Sequence, residues 1–420
     1  MERSPNERRL LRGLNVALVA GLLRRHQPVS RAELAERAGL ARSTITGITA
    51  LLLREGLARE TGEAESTGGR KPVLLELVAE ARLVAAVRLT ARTMTLGLTD
   101  LSGRLLVRHR RALRGDRQPE EVLSQVSTWV TEMLREYGPE SERVLGVGIS
   151  LPGRVRDGVL LQSEPLGWRE VAVQAEMEQR LGLPVLAENE ANALALGELR
   201  HGAGRGCSNL VAVTLGGGVG GGLIAGGAIL RGRAGAAGEL GHVQVDEAGP
   251  RCWCGRKGCL EALVSDEALA GQALLAIDRG ADSLLLEMVE GRRQAVTREA
   301  VVAAAQDGDP LCRRLLEQAG HRIGTVLAQV ANALAPDLLV LGGEAVEQAG
   351  PLLMEPIRQA LHPRLVPWVA GLRVEAGALG EAACLIGVAE QALDRVFQLP
   401  LYQPEAEEDP LNIAIWLPEE

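Results

Sequence analysis

Between residues 8 and 26, Leu10, Leu14, Ala17, Leu18, Gly21 and Leu22 recur at helical spacing. This predicts one helix with a single apolar stripe, ended by His26, Gln27 and Pro28. In "SRAELAERAGL", Ser30 caps a second helix and Glu33, three residues on, reaches back, forming a capping box. Leu34 and Ala35 face inward, and Gly39 ends this short helix. "ARSTITGITALLLREGL" predicts a third helix, with Ile45, Ile48 and Leu52 inside and Gly56 as its stop. Ala41 stands where a capping Ser is common, which weakens that cap by roughly 1 kcal/mol. The segment after it reads as strand, glycine-rich tip and strand, with Arg70 and Lys71 at the tip.

From Leu83 onward the pattern alternates between the strand and helix periods. Residues 83–113 predict three strands with a turn at 100–103, and residues 119–137 an amphipathic helix. "RVLGVGISLPGRV" is a buried strand leading into a loop at Pro152 and Gly153. Next come a helix, a short strand, and a second helix starting near Glu190. "NLVAVTLGGGVGGGLIAGG" is a strand turning through two glycine triplets. Residues 265–335 are largely helical, and "APDLLVLGGEAV" is a strand ending in a glycine loop. This order implies an α/β body.

Composition adds a division of charge. The chain has 420 residues, long enough for two or three domains, and 46% of them are apolar, which marks it as globular. Residues 1–72 carry 13 basic and 8 acidic side chains, or +5, within a chain of net charge −8, which leaves −13 on the remainder. A basic head on an acidic body points to a polyanion partner for the head alone. There Arg42, Ser43, Thr46 and Gly47 lie on the outer side of the third helix, and Arg42, Ser43, Thr44 and Thr46, with Arg70 and Lys71 on the wing, suit a helix-turn-helix on DNA. An ordinary three-helix protein-interaction domain is the alternative. No stretch reaches the twenty apolar residues of a membrane span, the N-terminus is too charged for a secretory signal, and the scattered Cys207, Cys312 and Cys384 fit a reducing cytoplasm.

Three features of the body can carry chemistry. The run Gly216, Gly217, Gly218, Gly220, Gly221 and Gly222 can cradle phosphate on exposed amides, although a tight hairpin explains it equally. Asn189 and Glu190 stand where a strand gives way to a helix, the ligand edge of an α/β sheet. They can meet a polyol hydroxyl or simply cap the helix. In the third, His242 precedes Cys252, Cys254 and Cys259 with the spacing H-x9-C-x-C-x4-C. One imidazole and three thiolates close a tetrahedral structural zinc site with no place for a catalytic water. The flanking Glu239 and Glu261 are then held near one another by a metal-rigidified loop.

"GELGH…CWCG..GCLE", "SLPGRV", "ENEANALALGE", "LGGGVGGGL" and "LVLGGEAV", in that order, together with the wing "STGGRKP", resemble the ROK group of bacterial repressors and sugar kinases from Leu14 to about Ala392. The resemblance implies an N-terminal winged helix-turn-helix followed by a two-lobed actin-like (ribonuclease-H-like) body, with sugar between the lobes. It implies that His242, Cys252, Cys254 and Cys259 hold zinc and that Asn189, Glu239, His242 and Glu261 hold sugar hydroxyls. Gly153 matches the sugar-side loop, and Glu190 falls where the kinases keep an aspartate as general base. That longer side chain can bind a hydroxyl yet be misplaced for proton removal. The kinases' D-x-G-G-T-K element is here Arg88-Leu89-Thr90-Ala91-Arg92-Thr93, which lacks the carboxylate and both glycines, and Gly217 stands where a threonine is usual.

The chain is therefore expected to be no enzyme but a sugar-responsive repressor that binds operator DNA as a homodimer or dimer of dimers and releases it on binding a monosaccharide. The expected domains are a winged head over 1–78, a first lobe over 79–190 completed by a helix near 381–396, a second lobe with the zinc site over 191–380, and a tail over 397–420. A sugar kinase with an added DNA-binding head is the alternative. A body serving as a partner-binding module is a third reading.

Overall fold

A computed structural model describes residues 5–63 and 71–398, which form two compact units. Of the described residues, the first unit comprises 5–63, 71–149, 172–187 and 388–398; the second comprises 150–171 and 188–387. The head thus shares a unit with the first sheet, while residues 150–171 pack with the second unit.

In the head, helix Pro5–His26 buries Ala17, Val19, Ala20 and Leu23, whereas Leu18 is exposed. The stripe expected through Leu18 and Leu22 is therefore rotated. The helix is apolar on several sides, so its period alone does not select the face that meets the other two helices. Helix Arg31–Ala38 carries the full capping box: the Ser30 hydroxyl accepts from the Glu33 amide, and the Glu33 carboxylate accepts from the Ser30 amide at 2.9 Å. Gly39, at φ 65°, ends the helix in the left-handed region. Helix Arg42–Arg54 buries Ile45, Ile48 and Leu52, and Ala41 supplies no side-chain cap. Strand Val29–Ser30 pairs with Val73–Leu77, which pairs antiparallel with Ala58–Glu63. Three helices and this hairpin form a winged helix-turn-helix. Arg70 and residues 399–420 lie outside the described residues.

The rest of the first unit is built on a five-stranded sheet, ordered Val185–Asn189, Val144–Leu151, Leu83–Leu89, Thr93–Asp100, Leu105–Ala112. The last three are the antiparallel strands expected from the alternating pattern. Helix Pro119–Tyr137 buries Val122, Val126, Trp129, Val130 and Met133, which recur at helical spacing. Gly148 lets helix Ala383–Gln398 lie against this sheet: a Cβ there would stand 2.6 Å from the Val388 carbonyl oxygen. Helix Pro5–His26 is tied to the same helix by Arg24 on Glu390, and by Arg25 on Asp394 at 3.0 Å.

The second unit has its own five-stranded sheet, ordered Ala228–Ile229, Val219–Ala225, Leu210–Leu215, Leu338–Gly342, Arg373–Ala376. Leu210–Leu215 runs antiparallel to Val219–Ala225 and parallel to Leu338–Gly342, so the glycine triplets form a hairpin beside a parallel pair. Helices Asp266–Asp278, Arg298–Gln306 and Pro310–Leu334 contribute to the core on this sheet, which is built mainly of Leu, Val, Ala and Ile. The observed architecture is mixed α/β with a winged head.

Candidate functional site

His242 and three thiols converge in the second unit. The ligand atoms of His242, Cys252, Cys254 and Cys259 lie within 4.8 Å of one another. Two thiolates on a tetrahedral zinc, at about 2.3 Å each, are separated by about 3.8 Å, and a thiolate and an imidazole nitrogen by slightly less. Here Cys254 Sγ and Cys259 Sγ are 3.6 Å apart, and Cys252 Sγ lies 3.5 Å from His242 Nδ1. The donor set and its spacing fit a tetrahedral cation. Burial pushes the Cys252 thiol up to about 12. Burial also opposes ionisation of Cys254, but hydrogen bonds from Arg256 and the neighbouring thiols outweigh it and bring that thiol to about 7. Coordination would ionise all three.

The loop carries more than these four side chains. His242 turns Nδ1 towards Cys252 and Nε2 towards Glu239, whose Oε2 is 3.7 Å away. A carboxylate behind a metal-binding imidazole sets its tautomer and orientation. The Glu261 carboxylate is held through both oxygens: Oε1 accepts from the Trp253 indole at 2.5 Å, and Oε2 from the Val219 amide at 2.9 Å. Gly218 leaves room for this carboxylate: a Cβ there would stand 2.8 Å from Glu261 Oε2 and displace it. Glu239, His242 and Glu261 are thus gathered around one loop.

Asn189 caps helix Glu190–His201, its Oδ1 accepting from the amides of Ala191 at 2.8 Å and Asn192 at 3.2 Å. Its Nδ2 donates to the Gly153 carbonyl at 2.7 Å, which joins two more of the expected residues. Capping, one of the two sequence readings of Asn189, is therefore real. Glu190 opens the helix, and its carbonyl accepts from Cys384 Sγ. The preceding Glu188 is buried and carries a role that sequence reasoning missed. It accepts from Asn189 N and Asn192 Nδ2 and pairs with Arg231 at 2.7 Å. The run of two glutamates and two asparagines was visible, but its partner Arg231 lies 43 residues away.

The turn at residues 90–93 and the glycine hairpin at residues 216–222 are largely occupied by their own groups. At the turn over residues 90–93, Thr90 Oγ1 accepts from the amides of Thr93 at 3.0 Å and Arg92 at 3.3 Å, and Thr90 N donates to Thr93 O at 2.8 Å. In the second loop, Gly216 N donates to Gly218 O and Val219 N to Glu261. In the head, Arg42, Ser43, Thr46 and Lys71 are exposed and Thr44 is half-buried; Thr46 Oγ1 donates to the Arg42 carbonyl at 2.9 Å.

An α/β body with a thiol-and-imidazole centre and a winged head defines a class. Residues 84–395 match the ROK family, and the chain belongs to it. The xylose repressor of Caldicellulosiruptor bescii is 27% identical over 398 residues, covering 94% of this chain and 98% of its own. The solved structure of a ROK family transcriptional regulator, a homolog of the E. coli MLC protein, superposes with a TM-score of 0.79 at 30% identity, covering 93% of this chain and 98% of its own. A ROK family glucokinase from Streptomyces griseus, solved with glucose and AMPPNP, reaches a TM-score of 0.67 at 32% identity, covering 74% of this chain and 99% of its own.

Proposed function

We propose that this chain is a sugar-responsive transcriptional repressor: the winged head binds operator DNA, and a monosaccharide bound to the body releases it. The observation that carries this reading is coverage. The xylose repressor matches 94% of the chain, whereas the glucokinase is spanned almost completely yet accounts for only 74%.

On the head, Arg42, Ser43, Thr44 and Thr46 contact bases and phosphates from the third helix, while Arg70 and Lys71 contact backbone from the wing. A homodimer, or a dimer of dimers, in the cytoplasm sets the operator's two-fold symmetry. In the body, His242, Cys252, Cys254 and Cys259 hold a structural zinc, which fixes the loop and supplies no open coordination position. Asn189, Glu190, Glu239, His242 and Glu261, with the backbone at Gly153, hold the sugar hydroxyls. Carboxylates suit this task because they accept hydrogen bonds from neutral polyols and repel phosphorylated ones. The sugar releases DNA only if it binds the DNA-incompetent state more tightly.

Loss of phosphoryl transfer is the finer part of the proposal. The turn at residues 90–93 spends two amides on the Thr90 hydroxyl, and Arg88 stands where the kinases keep a carboxylate. The competing reading, a sugar kinase with an added head, draws on the glucokinase likeness. A thermal-shift screen of monosaccharides with and without ATP and magnesium, followed by an assay for sugar phosphate, separates the two. Stabilisation by sugar alone with no product is expected; turnover would establish the kinase. Glu239→Ala and Glu261→Ala together should abolish sugar-induced operator release and leave sugar-free operator affinity unchanged. Release persisting in that double variant removes the assigned pocket.

A further inference from the structure

Trp253 lies between the thiol positions Cys252 and Cys254. The chain has only five Trp, two Tyr and one Phe, and Trp129 and Trp168 are spent in the core. Trp253 is instead 43% exposed. Its ring stands edge-on to His242, with centroids 4.7 Å apart and planes at 79°, and its indole donates to Glu261 Oε1 at 2.5 Å. One side chain thereby links His242, which faces Glu239, with Glu261.

The chemistry of that link is selective. An indole N–H only donates, so it fixes a carboxylate without competing for ligand hydroxyls. With Val219 N on the other oxygen, the Glu261 carboxylate has a set orientation, and its remaining lone pairs point in fixed directions. An exposed aromatic ring adds an apolar surface on which the C–H side of a sugar ring can rest, while its polar edge stays engaged. The flanking thiol ligands hold this residue's backbone wherever the metal holds the loop.

We infer that Trp253 is a specificity-determining residue of the effector site, orienting Glu261 and presenting its ring to an uncharged cyclic polyol. The inference rests on the effector-site reading given above. The test uses the full-length, zinc-loaded protein and the variants Trp253→Phe and Trp253→Ala. Xylose, glucose and N-acetylglucosamine serve as calorimetric probes, with metal content and operator affinity measured alongside.

The phenylalanine variant should keep its metal and its operator affinity. It should bind the preferred sugar about ten-fold more weakly, as expected for losing one hydrogen bond to a charged group, and the alanine variant more weakly still. Sugar should also change the tryptophan emission of the unmodified protein, and this change should vanish in Trp253→Phe. If the unmodified protein binds a sugar and Trp253→Phe binds it equally well, the role of Trp253 is overturned and the site stands. If it binds none of the three, the effector site falls and this inference with it. Should a variant lose its metal, the emission of the unmodified protein decides: sugar binding without any change in emission overturns the inference.

Discussion

Asp309 caps helix Pro310–Leu334, accepting from Cys312 N at 2.8 Å, Leu284 N at 2.7 Å and the Ser283 hydroxyl at 2.7 Å. Burial works to raise its pKa, yet these donors outweigh it and hold the carboxyl below its ordinary value. A depressed carboxyl stabilises the fold above its unfolded pKa, about 4, and that contribution is lost as pH falls through the folded value. Asp309→Ala should therefore cost about 1–2 kcal/mol at neutral pH, the range of a lost cap. The difference from the unmodified protein should shrink below about pH 4, as read from urea unfolding across a pH series. The cap itself is legible from "GDP", an aspartate before a proline that opens a helix. Its other partners, 25 and 26 residues upstream, are not.

Arg298 begins helix Arg298–Gln306 and is 1% exposed. It bonds Glu299 at 2.5 Å and lies 3.5 Å from both Asp266 and Glu344, which open two other helices. Although burial opposes it, the Arg298 guanidinium and Thr297 hydrogen bonds hold Glu299 down to about 2. Arg298→Ala should cost about 3 kcal/mol because the carboxylates lose their counter-charge, and Arg298→Met less because it keeps the volume; calorimetric melting checks both. From "TREAVV" alone this arginine reads as a solvated first-turn residue, since only packing reveals that three helix starts meet at it. The loop of His242, Cys252, Cys254 and Cys259 is the opposite case, legible because these four candidate ligands lie within 18 residues. Removing the metal with a chelator, or Cys259→Ser, should lower the melting temperature and abolish the response to sugar, with about one zinc per chain lost by elemental analysis. A chain that melts unchanged and metal-free would refute the zinc site.

Charge divides the molecule as a whole, with about +5 on residues 1–72 and −13 on the rest. Operator affinity should consequently fall steeply with salt. Lys71→Ala should weaken all DNA sequences alike and reduce the salt slope by about one, whereas Arg42→Ala should also relax sequence preference. Fluorescence anisotropy at several salt concentrations distinguishes the two. Among the described residues no helix is long and apolar enough to cross a membrane. The head is anchored within its own unit by Arg24 on Glu390 and by Arg24 Nε on the Leu101 carbonyl at 2.7 Å. Those contacts span 366 and 77 residues, beyond the reach of any local pattern.

Local periodicity was sufficient for the three head helices and the antiparallel strands at 83–112, and local residue spacing for the thiol cluster, because each depends on neighbours close in the chain. It could not choose the buried face of helix Pro5–His26, which is apolar on several sides. Nor could it tell whether Asn189 caps or binds, find Arg231 for Glu188, or see that Trp253 turns to Glu261. Those outcomes follow from side chains meeting after distant segments pack, and burial and hydrogen-bond satisfaction, rather than spacing, select among them.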